Sequence, residues 1–168
     1  MRFYIAFLSM VFLVQQAVAA ETPRIKFGSF GKIQVGMTPE QVSKIYQVER
    51  DRPYEADEQC YYLITKNQNK NRLIYFMITD GKVSRIDIDN TGIFTSEGIQ
   101  VGDSEDHVKE VYKGIAVEPH HYVAPEGNYL TVNNPDRKLA IRFETYQGKV
   151  TGYYTGKYPE VEYVEGCE

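Results

Sequence analysis

The sequence has no tryptophan, two cysteines and three histidines among 168 residues, and each scarcity closes off a class of chemistry. It contains no Gly-x-Ser-x-Gly nucleophile turn, no Gly-rich phosphate loop and no His-Glu-x-x-His, so common signatures of hydrolases, nucleotide-binding enzymes and zinc proteases are missing. Cations are not in excess: 19 Lys and Arg stand against 23 Asp and Glu, a formal net charge of −4. A nucleic-acid or anionic-membrane partner would favour a basic face instead. Beyond the first twenty residues, no apolar run approaches the roughly 20 residues that a spanning helix needs.

Metal chemistry has little to draw on. Neither Cys60 nor Cys167 has a Cys or His close to it in sequence, so zinc-type spacing is absent. His120 and His121 are adjacent, and adjacent residues on a strand point to opposite faces, so the pair reads as a loop or strand start. The run Asp87-Ile88-Asp89-Asn90-Thr91-Gly92 resembles the opening of a calcium loop. The twelfth position, where an EF-hand places a bidentate Glu, is Gly98. We therefore expect no catalytic residue, no metal and no cofactor; a small metal-dependent hydrolase using His120 or His121 is the alternative.

What is present begins with the leader. Met1-Arg2 is basic, Phe3 to Val14 is almost wholly apolar, and Ala17-Val18-Ala19-Ala20 offers small residues to a signal peptidase. That order marks residues 1–20 as a secretory signal peptide. The competing reading, an uncleaved anchor, needs a longer run than this dozen. No Cys stands at the exit to accept a lipid. Without residue Arg2, 18 cations remain against 23 carboxylates, a net charge of −5. The expectation is a periplasmic or secreted chain with no stable membrane insertion after cleavage. In an oxidising compartment an isolated cysteine pair favours a disulfide, so Cys60 and Cys167 are expected to join; two unrelated thiols are the alternative. In the chain-entropy picture, closing a loop of a hundred residues contributes up to about 4.7 kcal/mol.

The chain also repeats itself. Residues Ile33-Gln34-Val35-Gly36-Met37-Thr38-Pro39-Glu40-Gln41-Val42 align with Ile99-Gln100-Val101-Gly102-Asp103-Ser104-Glu105-Asp106-His107-Val108 at an offset of 66 residues. Gly36 and Gly102 permit a turn that a β-carbon would resist. Thr38 and Ser104 are suited to cap a helix N-terminus, and Pro39 to its first position. Val42, Ile45 and Tyr46, like Val108, Val111 and Tyr112, then give an i, i+3, i+4 apolar stripe. Downstream, Asp80-Gly81 and Gln147-Gly148 separate β-rich runs, a hairpin signal. Along the later strand of the first copy, Ser84, Arg85, Asp87 and Asp89 suggest a wet face.

These features predict an α+β fold: a tandem repeat of a helix plus a three- to four-stranded antiparallel sheet, with the helices on one face. The repeats would cover 21–92 and 93–168, joined near Asn90 to Gly92, with Gly36, Thr38, Gly102 and Ser104 as the structural motif.

The segment Val35 to Val42 resembles the Gly-Met-Thr-x-x-x-Val helix start of two related groups. One is the small lipoprotein of the outer-membrane β-barrel assembly machinery; the other is the β-lactamase inhibitor protein, itself a tandem of such units. The closing Tyr163-Val164-Glu165-Gly166-Cys167 is similar to that of uncharacterised exported proteins of Gram-negative bacteria. The lipoprotein's anchoring Cys has no counterpart here. The resemblance implies a saddle-like sheet that binds another macromolecule, with helices behind it.

The 14 tyrosines supply the candidate interface. Tyrosine joins an apolar plate to a polar tip and is enriched where proteins meet, although alternate tyrosines also fill cores. Tyr61, Tyr62, Tyr153, Tyr154 and Tyr158 are the candidates, with one member of each adjacent pair expected at a surface. The functional expectation is an exported, non-enzymatic protein-binding module for another protein of the cell envelope, including inhibition of an envelope or secreted enzyme. The alternative is a structural envelope-assembly factor.

Overall fold

The computed structural model describes residues 22–51, 59–66 and 73–167. The proposed signal peptide, residues 1–20, lies outside the described residues. The chain opens with three two-residue strands, β1 (Ile25–Lys26), β2 (Ser29–Phe30) and β3 (Ile33–Gln34), which form a small antiparallel meander. Ile25, Phe30 and Ile33 turn inward and are buried. Next come α1 (Pro39–Ser43), β4 (Val48–Arg50), β5 (Cys60–Thr65), β6 (Tyr75–Thr79) and β7 (Lys82–Ile88). After a long connection follow α2 (Glu105–Val111), β8 (Ala116–Pro119), β9 (Asn128–Asn133), β10 (Leu139–Tyr146) and β11 (Lys149–Lys157), then a 3₁₀ turn, Glu160–Glu162.

Strands β4 to β11 make one antiparallel sheet in the order β4-β5-β6-β7-β11-β10-β9-β8. Two tight hairpins set its register. Asp80 and Gly81 (φ 51° and 69°), and Gln147 and Gly148 (φ 49° and 72°), occupy the left-handed region in tandem, as a type I′ turn requires. The centre of the sheet is β7 against β11, with Ile88, Asp87, Ile86 and Arg85 opposite Tyr153, Tyr154, Thr155 and Gly156.

This overturns the expected α+β tandem. The protein is mostly β, with two helices of five and seven residues among the described residues, and no pair of helix-plus-sheet units forms. The physical reason lies in edges and lengths. Two separate small sheets would each expose a strand, β7 or β11, as an open edge; pairing the two strands removes both edges. A helix of one or two turns covers too little surface to close a sheet alone. The apolar face is covered instead by the β1–β3 meander together with Val42 of α1 and Val108 of α2, all in one core with Phe76, Ile86, Leu130, Ile141, Phe143 and Tyr153. The meander reaches across to the later strands: the Gly28 N–H donates to Thr155 Oγ1 at 2.7 Å.

The two Ile-Gln-Val-Gly segments nevertheless share local geometry. Gly36 and Gly102 sit at φ 93° and 95°. Their N–H groups donate to Val83 and Val150 at 2.8 and 2.9 Å. Thr38 closes a capping box with Gln41, and Ser104 Oγ accepts from the His107 N–H. The likeness is one of turn and cap.

Gly156 tests the central pairing. A β-carbon there would fall 2.7 Å from the Ser84 carbonyl oxygen and 3.1 Å from Arg85 Cα. Gly156→Ala is expected to force β7 and β11 apart at a cost of about 1–3 kcal/mol. The measurement is a lowered urea midpoint at unchanged slope.

Candidate binding face of the sheet

Strand alternation puts the core residues on one face and a different set on the other: Tyr62 on β5, Tyr75 on β6, Arg85 and Asp87 on β7, Tyr154 on β11, Arg142 and Glu144 on β10, and Tyr129 on β9. Register places Tyr75, Asp87, Tyr154 and Arg142 side by side on four successive strands. The sequence suggested a wet face along β7; Asp89 is exposed and Asp87 partly so, and the structure corrects the reading for the rest. Arg85 is 4% exposed, Arg142 6%, Tyr154 6% and Tyr129 3%, while Ser84 is fully buried.

The chain after β11 is what buries them. Val161 and Tyr158 pack on Ala140 and Tyr154, and the tail then returns to β5, where Cys167 joins Cys60 with their Cα atoms 5.3 Å apart. Tyr122 donates its hydroxyl to the Glu165 carboxylate and ties down the tail from the far side. Gly166 (φ 72°) lies against the Tyr62 hydroxyl, where a β-carbon would fall 2.5 Å away.

Arg85 holds this layer together. Its Nε and Nη2 fork onto Asp87 at 2.9 and 2.7 Å. Nη2 also donates to Tyr62 Oη at 2.8 Å, and Nη1 to the carbonyls of Glu160 and Tyr163 at 3.1 and 2.7 Å. All five guanidinium donors thus have acceptors, and the plane lies 4.3 Å over the Tyr154 ring. Arg142 is only partly satisfied. It donates to Thr131 Oγ1 at 3.0 Å and Glu118 Oε2 at 3.2 Å and lies 4.2 Å over the Tyr129 ring. Among the described residues its Nε, like the Tyr154 hydroxyl, is buried without a hydrogen-bond partner. Burial pushes the hydroxyls of Tyr62 and Tyr154 far above the ordinary tyrosine value, so both keep their protons.

The sequence-predicted residues scatter across both faces. Tyr61 packs toward the apolar core with the Arg50 guanidinium 4.0 Å over its ring; Tyr62 lies in the Arg85 layer. Tyr153 is in the core and donates its hydroxyl to the Ile93 carbonyl at 2.8 Å. Tyr154 points to the opposite face but is covered. Tyr158 is half-buried and donates to Asn133 Oδ1 at 2.6 Å. His120 stacks on Tyr129 with centroids 4.4 Å apart, and its Nε2 is 3.6 Å from Glu144. His121 is exposed beside Tyr122. Among the described residues, no group of three or more His, Cys, Asp or Glu could hold a metal ion. Sequence reasoning missed Arg85, Asp87, Arg142 and Glu144. The available signal was the Arg-x-acid spacing on two strands, together with a cysteine at the tail that had to return to β5.

No protein-family model matches the chain, and no curated protein matches it. Among solved structures it is similar to an extracellular protein containing an SCP domain from Bacillus anthracis, at 8% identity and a TM-score of 0.49. The match covers 89% of this chain and 50% of that one, so the chain spans half the length of that protein. No helix among the described residues is long and apolar enough to cross a membrane.

Two predictions test this layer. Arg85→Met strands the Asp87 carboxylate and two carbonyls, and removing one partner of a buried pair costs about 3–5 kcal/mol; Arg85→Met combined with Asp87→Leu should recover part of that loss in chemical denaturation. The second concerns acid. Burial alone would raise the Glu160 carboxyl, but hydrogen bonds from Lys157 and Thr79 override it and hold the group below the ordinary glutamate value. A depressed carboxyl stabilises fully above the unfolded value of about 4.3, and the contribution is lost as pH falls through the folded value. Unfolding free energy should therefore drop below that pH, and Glu160→Gln should make the acid limb shallower.

Proposed function

We propose that this chain is an exported, non-enzymatic module that binds another protein of the cell envelope through the Arg–Tyr face of its sheet, in the periplasm or outside the cell. The observation that carries the reading is the uncovered part of that face, where Tyr75 is half-buried and Tyr146 exposed beside the layer that Arg85 and the tail hold together. Arg85, the Cys60–Cys167 bond and the packed tail fix one side of it. A surface already ordered before contact loses little side-chain freedom on association, which favours affinity. Tyr and Arg are also the residues that dominate interface energetics. The disulfide and the charge–apolar–small order of residues 1–20 support export. Obstruction of an envelope or secreted enzyme is a form such binding can take.

The test is photo-crosslinking in producing cells. A photoreactive residue at Tyr75 or Tyr146, both on the Arg–Tyr face, is expected to give a discrete adduct with an envelope protein. The same residue at Lys113, at the end of α2, should give none. Equal or absent labelling at all three positions removes the reading.

A further inference from the structure

We infer that His120 works a pH-sensitive clasp: protonation of its ring releases Tyr122 from the tail and opens the cavity beside Arg85. The inference concerns how the tail is held and does not depend on what the face binds. His120 begins the connection from β8 to β9 and is packed in place. Its ring stacks on Tyr129 with centroids 4.4 Å apart, its backbone N–H donates to the Gly127 carbonyl at 3.0 Å, and its side chain is 11% exposed.

The two ring nitrogens define the clasped state. Nδ1 accepts from the Tyr122 N–H at 3.2 Å, so it carries no proton, and the single proton of the neutral ring is on Nε2. Nε2 lies 3.6 Å from Glu144 Oε2, beyond hydrogen-bonding reach. The Tyr122 hydroxyl, at the other end of the same residue, donates to the Glu165 carboxylate. Tyr122 and Glu165 are walls of a cavity of about 460 Å³, completed by Tyr62, Arg85, Val164 and Gly166. One imidazole thus positions the backbone of the residue that pins the tail beside Arg85.

Linkage fixes the sign of the pH effect. A proton added to His120 goes to Nδ1, because Nε2 already holds one. A protonated Nδ1 is a donor facing the Tyr122 N–H, another donor, so their bond is lost. The clasped form excludes the proton and the released form takes it, and falling pH shifts the population toward release. Histidine is the side chain whose ordinary titration lies between about pH 5 and 8. Among the described residues, the charged groups facing the ring from other elements are Glu144 and Arg142 of β10 and Glu165 of the tail, the last through Tyr122. Glu144 is the countercharge that a protonated ring gains. Arg142, 4.2 Å over the Tyr129 ring on which His120 stacks, opposes the added charge and is itself paired with Glu118 of β8. On its own loop stand His121, whose ring meets Tyr122 edge to face, and Glu126, whose carbonyl accepts from Gln147. One ring with two alternative partners, Tyr122 when neutral and Glu144 when charged, is a bistable element.

The experiment follows isotope-labelled chain, recovered with Cys60 and Cys167 joined from the envelope or medium of producing cells, by NMR from about pH 7.5 to about pH 5. That window spans ordinary histidine titration and stays above the ordinary carboxylate values of about 4. A scalar coupling across the N–H···N bond from Tyr122 to His120 Nδ1 is expected at the upper end and lost at the lower. The Tyr122, Glu165 and Gly166 amides should shift with the same midpoint as the His120 ring. Glu144→Gln should move that midpoint to lower pH. Tyr122→Phe should keep the coupling and the ring titration while the Glu165 and Gly166 amides lose their response; neither variant alters a core side chain. A coupling that is absent at the upper end, or that persists at the lower, overturns the inference. So does a His120 ring that titrates without moving Glu165 and Gly166, since the histidine then only fills its place against Tyr129. A Glu165 response that survives Tyr122→Phe overturns it as well, because the carboxylates are then its source.

Discussion

One buried guanidinium organises this molecule. Taking a charge of that size out of water costs several kcal/mol even after relaxation, and only complete pairing offsets it. Arg85 achieves that pairing by drawing on three separate parts of the chain: Asp87 on its own strand, Tyr62 on β5, and the Glu160 and Tyr163 carbonyls of the tail. Each partner is therefore held in place by the same cation. The tail has few apolar residues of its own to bury, Val161 and Tyr158 being the main ones. Its position depends on the arginine and on the disulfide acting together. The disulfide limits where the tail can go, and the arginine decides how it lies.

Arg142 shows what the same design looks like when it is incomplete. It too precedes an acid by two positions on a central strand, and it too covers a tyrosine ring. No tail carbonyls reach it, its carboxylate partner Glu118 is on an edge strand, and its Nε is left without an acceptor. The sheet face accordingly has a closed side around Arg85 and an under-satisfied side around Tyr154 and Arg142. A buried polar atom without a partner is unfavourable by about 1–3 kcal/mol, so this side of the face is held less firmly than the side around Arg85.

Local chemistry was legible in the sequence and long-range pairing was not. Asp80-Gly81 and Gln147-Gly148 form the expected hairpins because two adjacent left-handed residues are a property of those four positions alone. Gly36, Gly102, Thr38 and Ser104 likewise do locally what their types imply, and Cys60 and Cys167 pair. The apolar stripe from Val42 to Tyr46 was read as one helical face, yet α1 stops at Ser43 and Ile45 is exposed. Five residues give too few hydrogen bonds to carry a helix, and tertiary contacts of Tyr46 decide the rest. That β7 should pair with β11, about seventy residues away, has no short-range signature. Nor does the covering of Arg85, because polar residues alternating on a strand look the same whether water or a tail lies above them. The direction of the candidate tyrosines was not legible either: Tyr153 and Tyr154 are both buried, on opposite faces.

The same dependence ties the cover over Arg85 to the redox state of the two cysteines. A tail freed from Cys60 keeps the two arginine bonds, the bonds of Thr79 and Lys157 to Glu160, the Tyr122–Glu165 contact and a small apolar patch, against backbone ordering of about 1–2 kcal/mol for each residue fixed. The disulfide limits how far the tail can stray, so the cover over Arg85 is held by covalent and polar contacts together. The cover over Arg85 is thus complete when Cys60 and Cys167 are joined, and the oxidation that joins them is favoured outside the reducing cytoplasm.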